Sequence, residues 1–224
     1  MEKKLIVIEG LDGSGKATQA KLLSEALSSC FKVRKVSFPD YDSDSSALVK
    51  MYLHGDFGDK PDDVNAYAAS TFFAVDRYAS FKRDWIRDWE EGVIIADRYT
   101  TSNAIHQCSK LKKDEWDEYL SWLFEFEYDR LGIPAPDIVI YLEVDPEVSQ
   151  KLLNERYHGE DKRDIHEKDL EYLRRCREAA SYCCEKLHWQ IVKCTKDGKM
   201  RTIEEICEEI LSSLKNIKNA QEEL

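Results

Sequence analysis

Short apolar runs alternate along this chain with segments in which apolar residues recur every three or four positions. The runs are rich in Val, Ile and Leu and are bounded by Gly, Pro or charged residues, which is typical of buried β-strands. Five strands are predicted, at residues 4–10, 32–38, 92–97, 136–144 and 189–194. Helical spacing is found at residues 18–27, 64–89, 114–131 and 202–214, and in a segment that begins near Pro146.

Strands that alternate with helices predict a parallel sheet, because a crossover is needed to bring each new strand back in the same direction. Nearly continuous apolar strands indicate that both faces of the sheet are covered. We therefore predict an α/β fold, a five-stranded parallel sheet flanked by helices on both faces. No repeat or low-complexity linker divides the chain, so we expect one domain over residues 1–214 and a polar tail at 215–224.

Composition narrows the class of protein. The 224 residues, 42% of them hydrophobic, are enough to bury one substantial core. A formal net charge of −11 disfavours non-specific binding to nucleic acid or to an anionic membrane surface. No apolar run approaches the ~20 residues of a membrane span, and the run near the first residue is shorter than a secretory signal. We expect a cytoplasmic protein without a nucleic-acid or membrane partner.

The seven cysteines are odd in number and include no C-x-x-C pair. This usage is typical of reduced thiols packed inside a cytosolic protein. Cys176, Cys183 and Cys184 have the spacing of one helix face, which predicts core packing rather than metal binding.

The first predicted strand is followed by "GLDGSGKAT", residues 10–18. This stretch nearly matches the phosphate-binding pattern G-x-x-x-x-G-K-[ST], with Gly10, Gly15 and Lys16 in place. Glycines let backbone N–H groups approach phosphate oxygens, the following helix directs its positive end at them, and the lysine adds a mobile charge. The hydroxyl that helps to hold Mg²⁺ is replaced by Ala17, and Thr18 follows one residue later. Strand, loop and helix together favour a nucleotide site over a structural turn.

A second signal is "VIIADRY", which ends a predicted strand in Asp97 and Arg98. In open α/β sheets, ligands bind at the carboxyl ends of the strands. Asp97 is therefore a candidate for binding Mg²⁺ or its waters, and Arg98 for binding phosphate. From these residues alone, a surface Asp–Arg pair is an equally good interpretation.

Five stretches, in this order, resemble the thymidylate kinases, a family of P-loop nucleoside monophosphate kinases. They are residues 5–18, Phe38–Pro39, residues 72–77 ("FFAVDR"), residues 97–107 ("DRYTTSNAIHQ") and residues 136–148 ("PDIVIYLEVDPEV"). The resemblance implies an enzyme that transfers the γ-phosphate of ATP to dTMP with Mg²⁺, giving dTDP and ADP. It also implies a homodimer and a lid segment at about residues 154–168.

The resemblance assigns roles to individual residues. On the ATP side it implies Gly10, Leu11, Asp12, Gly13, Ser14, Gly15, Lys16, Ala17 and Thr18. On the dTMP side it implies Asp12 at the sugar 3′-hydroxyl, Phe73 stacked on thymine, Arg77 on the base, Arg98 on the phosphate, Ser102 and Asn103 at the thymine edge, and His106 beside the sugar. The implied catalytic residues are Lys16, Asp97, Arg98, Arg156 and Arg163, with Asp97 also holding Mg²⁺ through water.

The chain departs from the family pattern around the acceptor. Relatives often place an arginine after the Phe-Pro pair, whereas this chain has Asp40 and Tyr41, which leaves Arg98 and Lys50 to hold the acceptor phosphate. His106 stands where relatives often have an aromatic residue that disfavours a 2′-hydroxyl. Discrimination in favour of deoxyribose is thereby put in doubt.

The glycine loop lacks the arginine that some relatives carry there. A kinase needs positive charge on the γ-phosphoryl group during transfer. Arg156, Lys162 and Arg163, in the implied lid, are the candidate source, and a solvated charged loop is the competing interpretation for each of them.

Other interpretations stay open. Phe73 could pack in the core, and Arg77 could pair with Asp76 or Asp84 at the surface. The protein could be another P-loop deoxynucleoside or deoxynucleotide kinase, or a degenerate family member with a structural role, given Ala17. A nucleotide-dependent switch is disfavoured because the chain has no N-K-x-D guanine motif.

Overall fold

The computed structural model describes residues 3–157 and 164–222, without the side chains of 153–154, 156–157 and 215–222. The strands are β1 (Lys4–Glu9), β2 (Val33–Ser37), β3 (Val93–Asp97), β4 (Ile138–Glu143), β5 (Gln190–Lys193), β6 (Thr195–Lys196) and β7 (Lys199–Met200). The α-helices are α1 (Lys16–Ser28), α2 (Ala47–His54), α3 (Ala66–Ser80), α4 (Ile86–Glu91), α5 (Thr100–Cys108), α6 (Trp116–Phe124), α7 (Pro146–Tyr157), α8 (Ile165–Lys168), α9 (Leu170–Lys186) and α10 (Ile203–Glu222). Short 3₁₀ turns are Asp44–Ser46, Pro61–Asp63 and Lys113–Glu115, and π-helical turns are Phe81–Trp85 and Glu125–Arg130.

Strands β1 to β5 form one parallel sheet in the order β2-β3-β1-β4-β5. The predicted five-stranded parallel sheet is confirmed, and each strand begins and ends within two residues of its predicted bounds. Strands β6 and β7 form a separate antiparallel hairpin that the sequence analysis did not predict.

Helices cover both faces of the sheet, as predicted. Alternate residues of β1 point to opposite faces, so Leu5 and Val7 join one core while Ile6 and Ile8 join the other. Helices α1 and α10 close the second core, and α5, α6 and α9 close the first. In α9, Cys176, Cys183 and Cys184 are buried, which confirms their predicted place in the core.

Three helical features differ from the predictions. Helix α2 follows the turn-rich residues 40–46, and α5 follows Arg98 and Tyr99; no helix was predicted at either place. The predicted helices at 64–89 and 114–131 both contain a π-helical turn. Such a turn widens the helix locally, and it cannot be predicted from apolar residues spaced at the α-helical period of about 3.6 residues. Helix α10 continues to Glu222, past its predicted end at residue 214. No helix within the described residues is long and apolar enough to cross a membrane.

The parallel arrangement brings the two sequence motifs to one edge. In the register of β1 and β3, Ile8 lies opposite Asp97, so the glycine loop after β1 and Arg98 after β3 leave the sheet side by side. Candidate ligand-binding residues thus meet at the carboxyl edge of the central strands.

Candidate active site

A cavity of about 1430 Å³ opens at this edge of the sheet. The predicted site residues that line it are Asp12, Gly13, Ser14, Gly15, Lys16, Ala17, Thr18, Phe73, Arg77, Asp97, Arg98, Ser102, Asn103 and His106. Gly10 and Leu11 lie behind the lining, where Leu11 packs against the core. The side chain of Arg156 and the whole of Lys162 and Arg163 lie outside the described residues.

The glycine loop is built by backbone conformation. Gly10, Gly13 and Gly15 all have positive φ, at 153°, 79° and 85°. A Cβ on Gly10 would lie 2.6 Å from Ser14 Oγ and 2.9 Å from the Leu142 carbonyl oxygen, so only glycine fits there. Helix α1 begins at Lys16 with no side-chain cap, which leaves its first N–H groups as donors for an anion. Ser14 Oγ is buried and has no hydrogen-bond partner among the described residues.

Lys16 is the cation of the loop. Its buried side chain donates from Nζ to the Leu11 carbonyl oxygen at 2.9 Å and lies 4.0 Å from Asp12 Oδ1. Burial, and then the charge of Arg98, lower the pKa of Lys16 to about 8, so the ammonium group is still mostly protonated near neutral pH. Its ammonium group thus lies among the loop residues that precede α1.

Arg98 and Asp12 form an ion pair across the cavity. Arg98 has φ of 65°, a strained conformation for a residue with a Cβ, and such strain is often found at functional sites. Burial by itself would raise the pKa of Asp12, but the charges of Arg98 and Lys16 outweigh it and hold that pKa well below its usual range. Asp12 therefore remains an ionised acceptor.

Glu9 is a site residue that the sequence analysis missed. Its fully buried carboxylate accepts hydrogen bonds from Thr101 Oγ1 and Ser102 Oγ, both at 2.8 Å, and from the Gly10 N–H at 3.0 Å. Arg98 Nη1 lies 3.8 Å away. The hydroxyl of Ser102 thus donates to Glu9, although the resemblance implied that it reads a base. The sequence did contain a signal for Glu9: it is an acidic residue at the end of an apolar strand, directly before the glycine loop.

Helix α3 presents an aromatic ring and an arginine to the cavity. Phe73 lines it and contacts Tyr52 edge-on, with ring centroids 6.2 Å apart. Its neighbour Phe72 packs on Phe57 and Tyr52 instead. Arg77 lines the cavity from a buried position, 2% exposed.

Arg77 pairs with Glu127, so the alternative of a surface pair with Asp76 or Asp84 is wrong. Nε and Nη2 of Arg77 donate to Glu127 Oε2 and Oε1 at 2.7 and 2.5 Å. Asp76 accepts from the Asp40 N–H instead, and Asp84 pairs with Arg34.

Glu127 was also missed by the sequence analysis. The carboxylate is fully buried and accepts from Thr100 Oγ1 at 2.8 Å and from Asn103 Nδ2 at 3.3 Å, besides Arg77. A signal was present in the sequence: Glu127 continues the apolar stripe of Leu120 and Leu123, on which a charged side chain needs a buried partner.

Two histidines form the wall beside Asp12. The rings of His106 and His166 stack with centroids 5.4 Å apart, and Tyr172 donates to the His106 carbonyl oxygen at 3.1 Å. Burial, reinforced by Arg98, lowers the pKa of His106 to about 3, and burial holds the pKa of His166 well below its usual value. Both rings are neutral at physiological pH.

The carboxyl-terminal part of the predicted lid lines the same cavity. Asp164 caps α8 by accepting from the N–H groups of His166 and Glu167, both at 2.9 Å. Burial raises the pKa of Asp164 to about 6. Lys50 and Tyr41 also line the cavity, and Lys50 Nζ donates to the Tyr41 carbonyl oxygen at 3.1 Å.

Asp97 is the candidate residue for holding Mg²⁺. It ends β3, is 8% exposed and lines the cavity near Lys16. Within the described residues no group of three or more His, Cys, Asp or Glu side chains could hold a metal ion. Mg²⁺ beside nucleotides usually takes one or two carboxylates and completes its shell with phosphate oxygens and waters. One carboxylate next to a phosphate-binding loop fits that requirement.

Comparison with known proteins gives a consistent result. The sequence model of the thymidylate kinase family matches residues 8–210. A thymidylate kinase from Mycobacterium tuberculosis is 35% identical over 164 residues, which cover 71% of this chain and 73% of that protein. One from Caenorhabditis elegans is 33% identical over 157 residues, 65% of each chain. The structure of a thymidylate kinase from Candida albicans has the same fold, with a TM-score of 0.69 at 23% identity over 97% of this chain and 93% of that one.

Proposed function

The chain belongs to the thymidylate kinase family, and on that premise we propose that it transfers the γ-phosphoryl group of ATP to dTMP, giving dTDP and ADP. The observation that carries the proposal is one cavity lined both by the glycine loop, on the side called here the ATP end, and by Phe73, Arg77 and Asn103, on the side called the dTMP end. Two nucleotides bound in one cavity can exchange a phosphoryl group directly, so catalysis consists of positioning and charge stabilisation without a covalent enzyme intermediate.

At the ATP end, the loop N–H groups and Lys16 bind the β- and γ-phosphates. The uncapped start of α1 and the unpartnered hydroxyl of Ser14 support this assignment, because both offer hydrogen bonds that the described protein groups leave unused. Asp97 would hold Mg²⁺ through water, and the ion would neutralise phosphate charge when bound.

At the dTMP end, Phe73 stacks on the base and Arg77 and Asn103 hydrogen-bond to it. Asp12 accepts the sugar 3′-hydroxyl, which its lowered pKa supports by keeping it ionised. Arg98 binds the acceptor phosphate: its guanidinium has five N–H donors, and pairing with Asp12 uses only some of them. Ser102 acts indirectly, by orienting Glu9 and Arg98. His106 forms the wall beside the sugar.

Arg156 or Arg163 supplies the lid charge on the γ-phosphoryl group in this proposal. The support is that Lys16 is the one basic residue of loop residues 10–18. Alanine at the position that supplies this charge, and alanine at both positions together, should lower kcat by about tenfold or more. Values within a few-fold of wild type in all three variants would remove the lid from the mechanism.

We also propose a homodimer in the cytoplasm. Exposed Tyr67, Val75 and Tyr78 on α3 support an apolar interface, and the odd number of cysteines supports a reducing compartment. Sedimentation of wild type and Tyr78→Asp tests the dimer, since a buried carboxylate in an apolar interface should shift the equilibrium towards monomer.

A coupled assay of ADP formation tests the function. With ATP and Mg²⁺, dTMP should turn over faster than dUMP, dCMP or thymidine. Faster turnover of any other acceptor would assign the chain a different substrate. ATP binding without phosphoryl transfer to any of the four would refute the kinase assignment.

A further inference from the structure

We propose that Glu127 determines which pyrimidine the cavity accepts, by fixing the hydrogen-bonding polarity of Arg77 and Asn103. The inference deepens the proposed function and rests on it. Glu127 does not line the cavity, so it is a positioning residue that acts through two side chains that do.

Glu127 is surrounded by donors. Arg77 supplies Nε and Nη2 at 2.7 and 2.5 Å, Thr100 supplies Oγ1 at 2.8 Å, and Asn103 supplies Nδ2 at 3.3 Å. An ionised carboxylate can only accept, so every group that faces it must present a hydrogen. Glu127 is fully buried and Arg77 is 2% exposed, so solvent cannot substitute for either partner.

The orientation of the Asn103 amide follows from its neighbours. Asn103 Nδ2 lies 3.2 Å from the Ser70 carbonyl oxygen as well as 3.3 Å from Glu127 Oε1. Both neighbours are acceptors only, so the NH₂ group must face them. The remaining polar atom of this side chain, Asn103 Oδ1, is an acceptor, and no described residue donates a hydrogen bond to it. At the cavity, Asn103 therefore presents an acceptor.

Arg77 presents the opposite polarity. Two of its nitrogens are committed to Glu127, which leaves Nη1 as a donor for the cavity that Arg77 lines. A donor beside an acceptor matches the thymine edge, which offers the O4 acceptor and the N3–H donor. Cytosine offers the N4 amino donor and the N3 acceptor, so both contacts would be repulsive.

A glutamine at position 127 would remove this constraint. It keeps one acceptor oxygen but turns an NH₂ group towards Arg77, Thr100 or Asn103. If that NH₂ group faces Asn103, the amide of Asn103 can rotate, with loss of its hydrogen bond to the Ser70 carbonyl oxygen, and present its own NH₂ group to the cavity. Asn103 would then match the N3 acceptor of cytosine, while Arg77 would still oppose its N4 amino group, so the preference for the thymine edge would weaken.

Glu127→Gln tests the proposal, with Glu125→Gln as the matched control. Glu125 lies in the same π-helical turn and also pairs with an arginine, Arg130 at 2.6 Å, but both are exposed. The quantity to measure is kcat/KM for dTMP divided by that for dCMP, with dUMP as a third acceptor because uracil has the same edge as thymine.

We expect Glu127→Gln to lower the dTMP-to-dCMP ratio by about tenfold or more, since mismatched buried hydrogen bonds dominate this kind of discrimination. The dTMP-to-dUMP ratio and the KM for ATP should stay within about twofold, and Glu125→Gln should change nothing. If activity on dTMP and dCMP falls in parallel, with the ratio unchanged, Glu127 is only structural and the proposal is wrong.

A second variant tests the proposal if Glu127→Gln does not fold. Glu127→Asp keeps the charge and both oxygens but withdraws them from Asn103, so the dTMP-to-dCMP ratio should fall by a smaller factor in a folded enzyme. An unchanged ratio there overturns the proposal. Wild-type enzyme that does not phosphorylate dTMP would instead refute the proposed function, so the two failures are distinguishable.

Discussion

The two ends of the cavity are constructed in different ways. The proposed ATP end is formed by the loop of consecutive residues 10–18, and its geometry depends on backbone conformation and on one lysine. The proposed dTMP end is made of side chains from α3, α5 and α8, and buried charges such as Arg77 and Glu127, which lies behind the cavity wall, hold it in place. A backbone cradle tolerates a changed side chain, whereas a network of buried charges transmits one change to every partner.

The largest effect is expected at the ATP end, where one charge has no substitute. Lys16→Met should lower kcat by roughly 10²- to 10³-fold, because an apolar side chain removes the ammonium that stabilises the transferring phosphoryl group. Steady-state rates at saturating ATP and dTMP measure it, with exposed Lys21→Met on the same helix as control. A loss below about tenfold would mean that the loop does not depend on Lys16.

The matching change at the dTMP end is Phe73→Ala. Phe73 lines the cavity and is proposed to stack on the base of dTMP. Loss of this stacking should raise the KM for dTMP by roughly tenfold and leave the KM for ATP unchanged. Initial rates against each substrate provide the measurement. Equal effects on both KM values would contradict the separation of the two ends.

The buried histidines beside Asp12 make the stability of the protein depend on pH. The pKa of His106 is about 3 in the folded protein, against 6.5 for an exposed histidine, so the unfolded chain binds more protons between these two pH values. The contribution of neutral, buried His106 to stability is therefore fully present above pH 6.5 and is lost as pH falls towards 3. His106→Gln, which cannot titrate, should make the fall in Tm between about pH 7 and pH 5 shallower.

The control for that experiment is His54→Gln, because His54 has a side chain 85% exposed. Thermal unfolding followed by circular dichroism measures all three proteins. An identical slope in wild type and His106→Gln would show that His106 does not contribute to the acid sensitivity.

The smallest effect is expected at position 17. Ala17 is exposed at the cavity, so Ala17→Ser can supply the missing hydroxyl without disturbing the backbone cradle. We expect a few-fold lower Mg²⁺ concentration at half-maximal rate, with kcat nearly unchanged. A magnesium titration measures it, and an unchanged midpoint would indicate that the metal does not use this position.

The sequence-based predictions agree with the structure better at the ATP end of the cavity than at the dTMP end. The positions of Gly10, Gly15 and Lys16 could be predicted because the loop, the strand before it and the helix after it are neighbours in sequence. Asp97 and Arg98 could be placed at the same edge because parallel strands end together. By contrast, Arg77 was assigned Asp76 or Asp84 as an alternative partner, and its actual partner lies 50 residues away.

The sequence by itself determined the strands, the glycine loop and the family, since these depend on local periodicity and on short motifs in a set order. Only the tertiary structure decided how charges are paired at the dTMP end. Glu9 reaches Thr101 and Ser102, and Glu127 reaches Arg77, only after β1, α3 and α5 have packed against one another. A buried carboxylate must find donors wherever packing brings them, and no pattern within a single segment specifies that meeting.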